Sequence, residues 1–239
     1  MTIVDYLDIS EGSVIAVVGC GGKTSLIELI ADELRDKKIL VSPTTKMFPM
    51  KTEGVILCGT MRQCEEHEPQ PGIQCLGLLN PVSGKLESLP ASTLSGLVSH
   101  YNVTLLEADG SRGLPCKGWL STEPVVPHYC THTVGMVTMN ALGKVATEAV
   151  VHRLPEFLSL TGLKEGEPIT THELEEMVCA PNGMFKNSDG KQYLLVNDVE
   201  TDTSINAAQS FLQAIKEKYP NRFERLLFGS VRLDVWQEV

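Results

Sequence analysis

The chain has 239 residues, of which 42% are hydrophobic and 21% charged, and its formal net charge is −10. This composition excludes a largely disordered protein, and an acidic surface repels phosphate backbones, so we expect no nucleic-acid partner. The length is suited to one large domain.

The first 42 residues predict a strand, a glycine turn, a helix and a second strand. The run 13–18 is rich in β-branched residues and does not alternate with polar ones, which favours a central strand buried on both faces. Residues 24–34 place apolar side chains at helical spacing, and 38–42 predicts the next strand. Such βαβ units cross over right-handedly into a parallel sheet.

The remaining chain predicts more strands and a helix-rich stretch. Because the pattern turns toward helices at about residue 145, we expect one α/β domain spanning 1–239, with a mostly parallel sheet flanked by helices and a helical insertion near 145–185. The further predicted strands are 55–58, 74–79, 103–106, 133–139, 193–196, 225–228 and an edge at 231–235, and the further helices are 2–8, 94–99, 155–160, 172–178 and 204–218.

A glycine-rich turn lies between the first strand and the first long helix. Its glycines let several backbone N–H groups point at one anion, and the helix N-terminus adds partial positive charge. Lys23 would reach terminal phosphates and Thr24 would ligate Mg²⁺. The match to G-x-x-x-x-G-K-[ST] is partial because Val17 replaces the first glycine, and a tight turn without a ligand is the alternative. The predicted phosphate-binding residues are Gly19, Cys20, Gly21, Gly22, Lys23, Thr24 and Ser25.

Acidic residues follow a second apolar strand. Parallel strands end at one edge of a sheet, so we expect Glu107 and Asp109 to converge with Lys23, with Asp109 as a magnesium ligand and Glu107 as the best-placed base. The alternative is that Asp109-Gly110 is only a turn. Arg112 and Lys117 could neutralise phosphate charge at this edge. Lys46 would face the phosphates or a second substrate there, and a solvated loop lysine is the alternative.

Three smaller patterns leave alternatives open. His128, Cys130 and His132 alternate and would share one strand face, which could seat a metal, although chance is the simpler explanation. The pair His152-Arg153 could contact a substrate or an anionic cofactor, or it could be a capped helix start with a surface arginine. The helix N-terminus would lower the pKa of Cys20, a redox candidate, unless this is merely a small side chain tolerated in the loop.

The cysteines and the amino terminus concern location. There are seven cysteines without a CxxC pair, and Met1-Thr2-Ile3-Val4-Asp5 lacks the features of a signal peptide. No segment approaches the ~20 apolar residues that span a bilayer. We therefore expect a cytoplasmic protein with reduced thiols and no membrane segment.

Several segments occur in an order that resembles a known family. They are the loop 19–25, Ser42-Pro43-Thr44-Thr45-Lys46-Met47, the run from Glu107-Ala108-Asp109-Gly110 to Lys117, Met139-Asn140-Ala141-Leu142-Gly143-Lys144, and Val151-His152-Arg153. Together they resemble the YqeC-type family, described as accessory proteins of selenium-dependent hydroxylases. The resemblance implies a P-loop NTPase-like fold, nucleotide binding and a molybdenum hydroxylase client.

One segment departs from the family pattern. After the strand at 193–196 such proteins tend to show Asn-Lys-x-Asp, which reads a guanine base in many GTPases, whereas this chain has Asn197-Asp198-Val199-Glu200. The resemblance implies that Asn197 contacts the nucleotide, but Asp198 replaces the lysine. The nucleotide is therefore ATP or GTP, with the base undetermined.

Three functions remain open from the sequence. The first is a Mg²⁺-dependent NTPase or nucleotidyl or phosphoryl transferase coupled to maturation of a molybdenum hydroxylase. The second is a carrier that grips a phosphorylated cofactor, such as a molybdopterin nucleotide, without turnover. The third is a ligase that forms acyl-phosphates through a similar short loop, although 239 residues leave little room for its further domains.

Overall fold

The computed structural model describes residues 1–188 and 190–239. Within these residues the chain folds as α/β around a nine-stranded sheet with the strand order β14-β13-β12-β10-β1-β8-β2-β5-β4. The strands are β1 (Ser13–Gly19), β2 (Lys38–Pro43), β3 (Lys46–Met47), β4 (Ile56–Cys58), β5 (Gly72–Leu76), β6 (Leu78–Leu79), β7 (Leu86–Glu87), β8 (Val103–Glu107), β9 (Cys116–Lys117), β10 (His132–Thr138), β11 (Val151–His152), β12 (Lys191–Asn197), β13 (Arg225–Ser230) and β14 (Val235–Glu238). The helices are α1 (Ile3–Tyr6), α2 (Lys23–Glu33), α3 (Met61–Glu66), α4 (Ala91–Val98), α5 (Leu154–Thr161), α6 (Thr171–Cys179) and α7 (Asp202–Lys218), with a 3₁₀ turn at Met139–Ala141.

Strand β1 lies in the middle of the sheet and is buried on both faces, as its continuous apolar run predicted. Ile15 and Val17 point toward α1 and α2, while Val14, Ala16 and Val18 point toward the core shared with α4 to α7. Burying one such aliphatic side chain is worth roughly 1.5–3 kcal/mol, so both faces anchor the strand.

The pairing around β1 decides what meets at the carboxyl edge of the sheet. Strand β8 pairs with β1 in parallel on one side, with Glu107 opposite Val17, and β10 pairs in parallel on the other side. Strand β2 lies beyond β8. The order of the strands thus reverses beside β1, and in open α/β sheets such a point leaves a crevice at the carboxyl ends of the strands.

The stretch between β10 and β12 contains the predicted helical insertion. Helices α5 and α6 occupy it, and the strands on either side of it are parallel neighbours in the sheet. The stretch also contains β11, a two-residue strand that pairs in parallel with β9. Phe157 of α5 and Leu174 of α6 are fully buried against the sheet, which explains why this stretch carries apolar residues at helical spacing.

Two strand predictions need correction. The segment 74–79 is not one strand, because Gly77 turns out of the sheet and separates β5 from β6, which joins β7 and β3 in a second, three-stranded sheet. The predicted edge at 231–235 is mostly a turn, and the antiparallel edge strand β14 begins only at Val235. Two-residue strands and a tight turn carry too little periodicity to be read from sequence.

The expectations of reduced thiols and of no membrane segment can be compared with the described residues. All seven cysteines lie within the described ranges, all are buried and none forms a disulfide. Among the described residues, none of the helices combines the length and apolar character that crossing a bilayer requires.

Candidate functional site

The glycine loop, residues 19–24, connects β1 to α2 in a conformation that requires glycine. Gly21 and Gly22 have φ values of +88° and +113°, in the left-handed region. A Cβ on Gly21 would lie 2.6 Å from Thr138 Cβ. Gly22 is the N-cap of α2 and supplies no side-chain hydrogen bond, so the first N–H groups of this helix have no side-chain cap.

Asn197, predicted to contact a nucleotide, is hydrogen-bonded to the backbone of the glycine loop. Its Nδ2 donates to the Gly21 carbonyl at 2.8 Å, and its Oδ1 accepts from the Val231 N–H at 2.9 Å. The side chain is 5% exposed, and both ends of its amide are used inside the protein. In this arrangement Asn197 supports the shape of the loop, and its amide is not open to a base.

Asp109 is the centre of a buried network on the interior side of the loop. Its two oxygens accept from the Gly19 N–H at 3.1 and 3.0 Å, and Oδ2 accepts from Trp119 Nε1 at 2.8 Å. Lys23 and Lys117 are 3.3 and 3.2 Å away. Burial would raise the pKa of Asp109, but the two lysines and these hydrogen bonds outweigh it and hold the pKa below its ordinary value.

The predicted roles of Asp109 and Lys117 therefore change. Asp109 is fully buried with both oxygens engaged, which leaves it no open position for a magnesium ion. Lys117 is also fully buried, donates to the Gly110 carbonyl at 2.7 Å and pairs with Glu123 at 3.4 Å, so it lies behind the surface that a phosphate would reach. Glu107 and Asp109 are only two residues apart in the sequence, and this spacing does not reveal which carboxylate faces the cleft.

Glu107 faces the open side of the loop. Thr24 Oγ1 donates to Glu107 Oε2 at 2.7 Å. Burial raises the pKa of Glu107 above its ordinary value, although Lys23 and the Thr24 hydrogen bond act in the opposite direction. Glu107 and Asp109 both lie close to Lys23, and Glu107 is the acid of the pair that lines the open cleft in front of the loop.

Lys23 lies between these two environments. Its Nζ donates to the Gly19 carbonyl at 2.7 Å and lies near the Ser111 hydroxyl at 3.4 Å. Burial would lower its pKa, but Asp109 and Glu107 outweigh that effect and the pKa is raised, so the ammonium stays charged. A charged, buried ammonium beside a helix N-terminus favours an anion nearby.

A cleft of about 570 Å³, here called the loop cleft, opens in front of these groups. Lys46, predicted for this edge, lines it and pairs with Glu87 at 2.8 Å. Lys85 and Phe48 also line it, with the Lys85 ammonium 4.7 Å from the centre of the Phe48 ring. Neither residue was predicted from the sequence, because both flank two-residue strands of the small sheet beside the loop. The lining residues are 21–25, 46–48, 85, 107 and 110–113.

Two of the alternatives that the sequence left open find no support in the structure. Cys20 is fully buried, and burial raises its pKa to about 12, so the helix N-terminus does not make it a reactive thiolate. His128, Cys130 and His132 do not form a metal site, since no group of three or more potential ligands is found anywhere in the described ranges. Strand β10 begins only at His132, and the ring of His132 stacks on Tyr193.

Comparisons with known proteins agree with the segments quoted above. The profile of the family described as "YqeC protein" matches residues 15–155, which include the glycine loop, Glu107 and Asp109. The chain is 34% identical over 182 residues to "Uncharacterized protein YqeC" of Escherichia coli (strain K12), covering 73% of this chain and 71% of that relative.

Proposed function

Because the chain belongs to the YqeC protein family, we propose that it is a nucleotide-binding accessory protein that acts, through Mg²⁺ and ATP or GTP, in maturation of a molybdenum hydroxylase. The assignment of the pathway rests on the family resemblance, and the assignment of nucleotide binding rests on the site. A P-loop NTPase-like fold is part of the proposal, supported by the strand–loop–helix order and by β8 lying beside β1.

The observation that carries the proposal is the contact between Thr24 and Glu107, 2.7 Å apart at the mouth of the loop cleft beside Lys23. A hydroxyl and a carboxylate are the hard oxygen ligands that Mg²⁺ takes in nucleotide sites, where it keeps several waters and binds phosphates. We therefore assign the ion to Thr24 and Glu107. When bound, the ion would neutralise charge on the phosphates.

The protein's own groups would hold the phosphates. Lys23 and the uncapped N–H groups at the start of α2 face the cleft from one side, and Lys46, Lys85 and Arg112 face it from the other. Phosphoryl transfer needs mainly positioning and charge stabilisation, which such a ring of cations provides. A volume of about 570 Å³ lies within the usual range for small-molecule sites.

Binding should be measured by calorimetry with Mg-ATP and with Mg-GTP. We expect Lys23→Ala to lower the affinity for the nucleotide roughly 100-fold or more. Thr24→Ala should lower this affinity roughly tenfold, and only when Mg²⁺ is present. Lys164→Ala, an exposed lysine far from the cleft, is the matched control and should bind as the wild type does. If neither nucleotide binds at millimolar concentration, the proposal fails.

A second candidate function is a carrier that binds the phosphorylated ligand without turnover. It is favoured by one observation: Glu107 is the single carboxylate among the described residues that line the loop cleft, and it is already assigned to Mg²⁺. Without another base, hydrolysis would lack a group to activate water. Steady release of inorganic phosphate that Thr24→Ala abolishes would exclude the carrier, whereas tight binding without release would support it.

The client can be tested separately. In a strain that lacks this protein, we expect a molybdenum hydroxylase to accumulate as an inactive polypeptide, and wild-type protein but not Lys23→Ala should restore its activity. Full hydroxylase activity in the deletion strain would remove the client from the proposal and leave nucleotide binding untouched.

A further inference from the structure

A second cleft adjoins the loop cleft and extends beyond the site described above. Its volume is about 380 Å³. It shares four lining residues with the loop cleft, Lys46, Lys85, Gly110 and Arg112, so the two are continuous. The residues that belong to the second cleft alone are Thr45, Glu123, His152 and Arg153.

The lining of the second cleft is strongly cationic in a chain whose net charge is −10. Four lining side chains are cations, and Glu123 is the acid among them. Two of the cations have acidic partners within the protein: Lys46 is 2.8 Å from Glu87, and Arg153 is 2.6 Å from Glu123.

The other two cations form no ion pair among the described residues, although Lys85 lies over the Phe48 ring and acts on the pKa of Glu107. In residues 1–188 and 190–239, no carboxylate lies within 4.0 Å of Lys85 or Arg112. Arg112 is exposed on the turn at 110–113, and Lys85 is only half-buried, so both can move to a ligand. Two such positive charges match one phosphate dianion better than one carboxylate, and guanidinium binds such oxyanions with two parallel hydrogen bonds.

His152 supplies a neutral hydrogen-bonding group at the same place. Its ring is fixed beside Arg153, whose Nε donates to His152 Nε2 at 3.4 Å. Burial, together with Lys117, Arg153 and Arg112, lowers the pKa of His152 to about 4. The ring is therefore uncharged at neutral pH, mainly because it is partly buried, and the three cations act in the same direction.

A chain of ion pairs joins this cleft to the glycine loop. Lys23 pairs with Asp109 at 3.3 Å, Asp109 with Lys117 at 3.2 Å, Lys117 with Glu123 at 3.4 Å and Glu123 with Arg153 at 2.6 Å. The middle of this chain is buried, so its charges are weakly screened. The glycine loop and the second cleft are thus held in a fixed relation by one network.

We propose that the second cleft binds the phosphate group of a phosphorylated small molecule, the second ligand of the protein, beside the terminal phosphate of the nucleotide. The inference rests on the proposed function and extends it, since it names the class of the second substrate. Lys85 and Arg112 bind the dianion from the shared wall, while Arg153 and His152 hold it from the far side. These last two residues line only the second cleft, which makes them the diagnostic positions.

The test is calorimetry with inorganic phosphate as the probe, on protein saturated with Mg²⁺ and a non-hydrolysable nucleotide analogue, at constant ionic strength. We expect saturable binding in the millimolar range. Arg153→Gln should lower the affinity for phosphate roughly tenfold or more, while it changes the affinity for the nucleotide by less than about twofold. Arg153→Lys should restore part of the loss, and Arg62→Gln, an exposed arginine paired with Glu66, is the matched control.

Each other outcome decides against the proposal. If acetate binds as tightly as phosphate, the ligand class is wrong. If Lys23→Ala removes phosphate binding and Arg153→Gln does not, the anion lies in the glycine loop. Absence of saturable binding also overturns it. If Arg153→Gln does not fold, His152→Gln, expected to weaken phosphate about threefold to tenfold, replaces it.

The two proposals can fail independently. If no nucleotide binds, the titration is repeated on nucleotide-free Lys23→Ala protein, in which the loop has lost its cation and the second cleft is intact. Phosphate binding that still depends on Arg153 would then keep the second cleft while the nucleotide proposal falls. Nucleotide binding without any phosphate binding gives the opposite result.

Discussion

The interior side of the glycine loop, around Asp109, and its cleft side, around Glu107, use the same kind of acid in opposite ways. Asp109 is fully buried, meets two lysines and the N–H groups of Gly19 and Trp119, and has a lowered pKa. Glu107, two residues earlier on β8, has a hydroxyl partner, faces the cleft and has a raised pKa. The first environment stabilises the charged form of its acid, whereas the second disfavours the charged form.

The largest effect is expected from Asp109→Asn, which removes the shared partner of Lys23 and Lys117. Two ammonium groups would then remain buried with less compensation, and breaking such a network costs about 3–5 kcal/mol of unfolding free energy. Urea unfolding measures it, with Glu148→Gln, an exposed acid, as control. A loss smaller than about 1 kcal/mol would mean that the interior network is not a scaffold.

A smaller loss is expected from Gly21→Ala, which probes how closely the loop packs on the interior side. The added Cβ would meet Thr138 at 2.6 Å at a φ of +88°. Gly84→Ala is the matched control, because Gly84 also has a positive φ, +66°, but nothing within 4 Å. We expect Gly21→Ala to cost about 1–3 kcal/mol more than the control and to weaken nucleotide binding. If both substitutions lower the free energy of unfolding equally, the loop can shift to accommodate a Cβ at position 21.

The smallest effect has the opposite sign. Glu107→Gln keeps a hydrogen bond to Thr24 but removes the strained charge, so we expect the unliganded protein to gain on the order of 1 kcal/mol at neutral pH while Mg-nucleotide binding weakens. A folded pKa above the ordinary 4.5 means that the folded state binds its proton more tightly, and the charge costs stability as pH rises through the folded value.

The pH series makes this prediction specific. The stability gap between Glu107→Gln and the wild type should be largest at neutral pH and should close as pH falls toward 4.5. Urea unfolding at several pH values checks it. A variant that is less stable than the wild type at pH 7 would contradict the assignment of Glu107 as a ligand held at a cost.

Much of this site follows from sequence because it depends on local pattern. The buried run before Gly19 and the helical spacing after Thr24 fix where the loop lies, and parallel pairing brings the end of β8 beside it. The different environments of Asp109 and Glu107 could not be predicted from the sequence. They depend on Lys117 and Trp119, which follow β8 in the chain and contact Asp109. Hydrophobic periodicity predicts helices and strands, but it does not predict which loop side chains contact each other.

The same limit explains the cations that were missed. Lys85 reaches the loop cleft from a hairpin of two-residue strands, far along the chain from Lys23, and nothing in its neighbourhood resembles a phosphate motif. His152 and Arg153 were noted as a pair, but it is the pairing of β11 with β9 that places His152 beside Lys117. Long-range contacts between short elements decide these positions.

The seven buried cysteines have a practical consequence. Burial raises the pKa of Cys20 and Cys179 to about 12 and that of Cys75 to about 11, so a folded molecule presents almost no thiolate to a reagent. Alkylation of each sulfur therefore has to wait for a local opening of the fold. The thiols are distributed from the glycine loop to helix α6, and the order in which they react with a maleimide would rank these regions by how often they open.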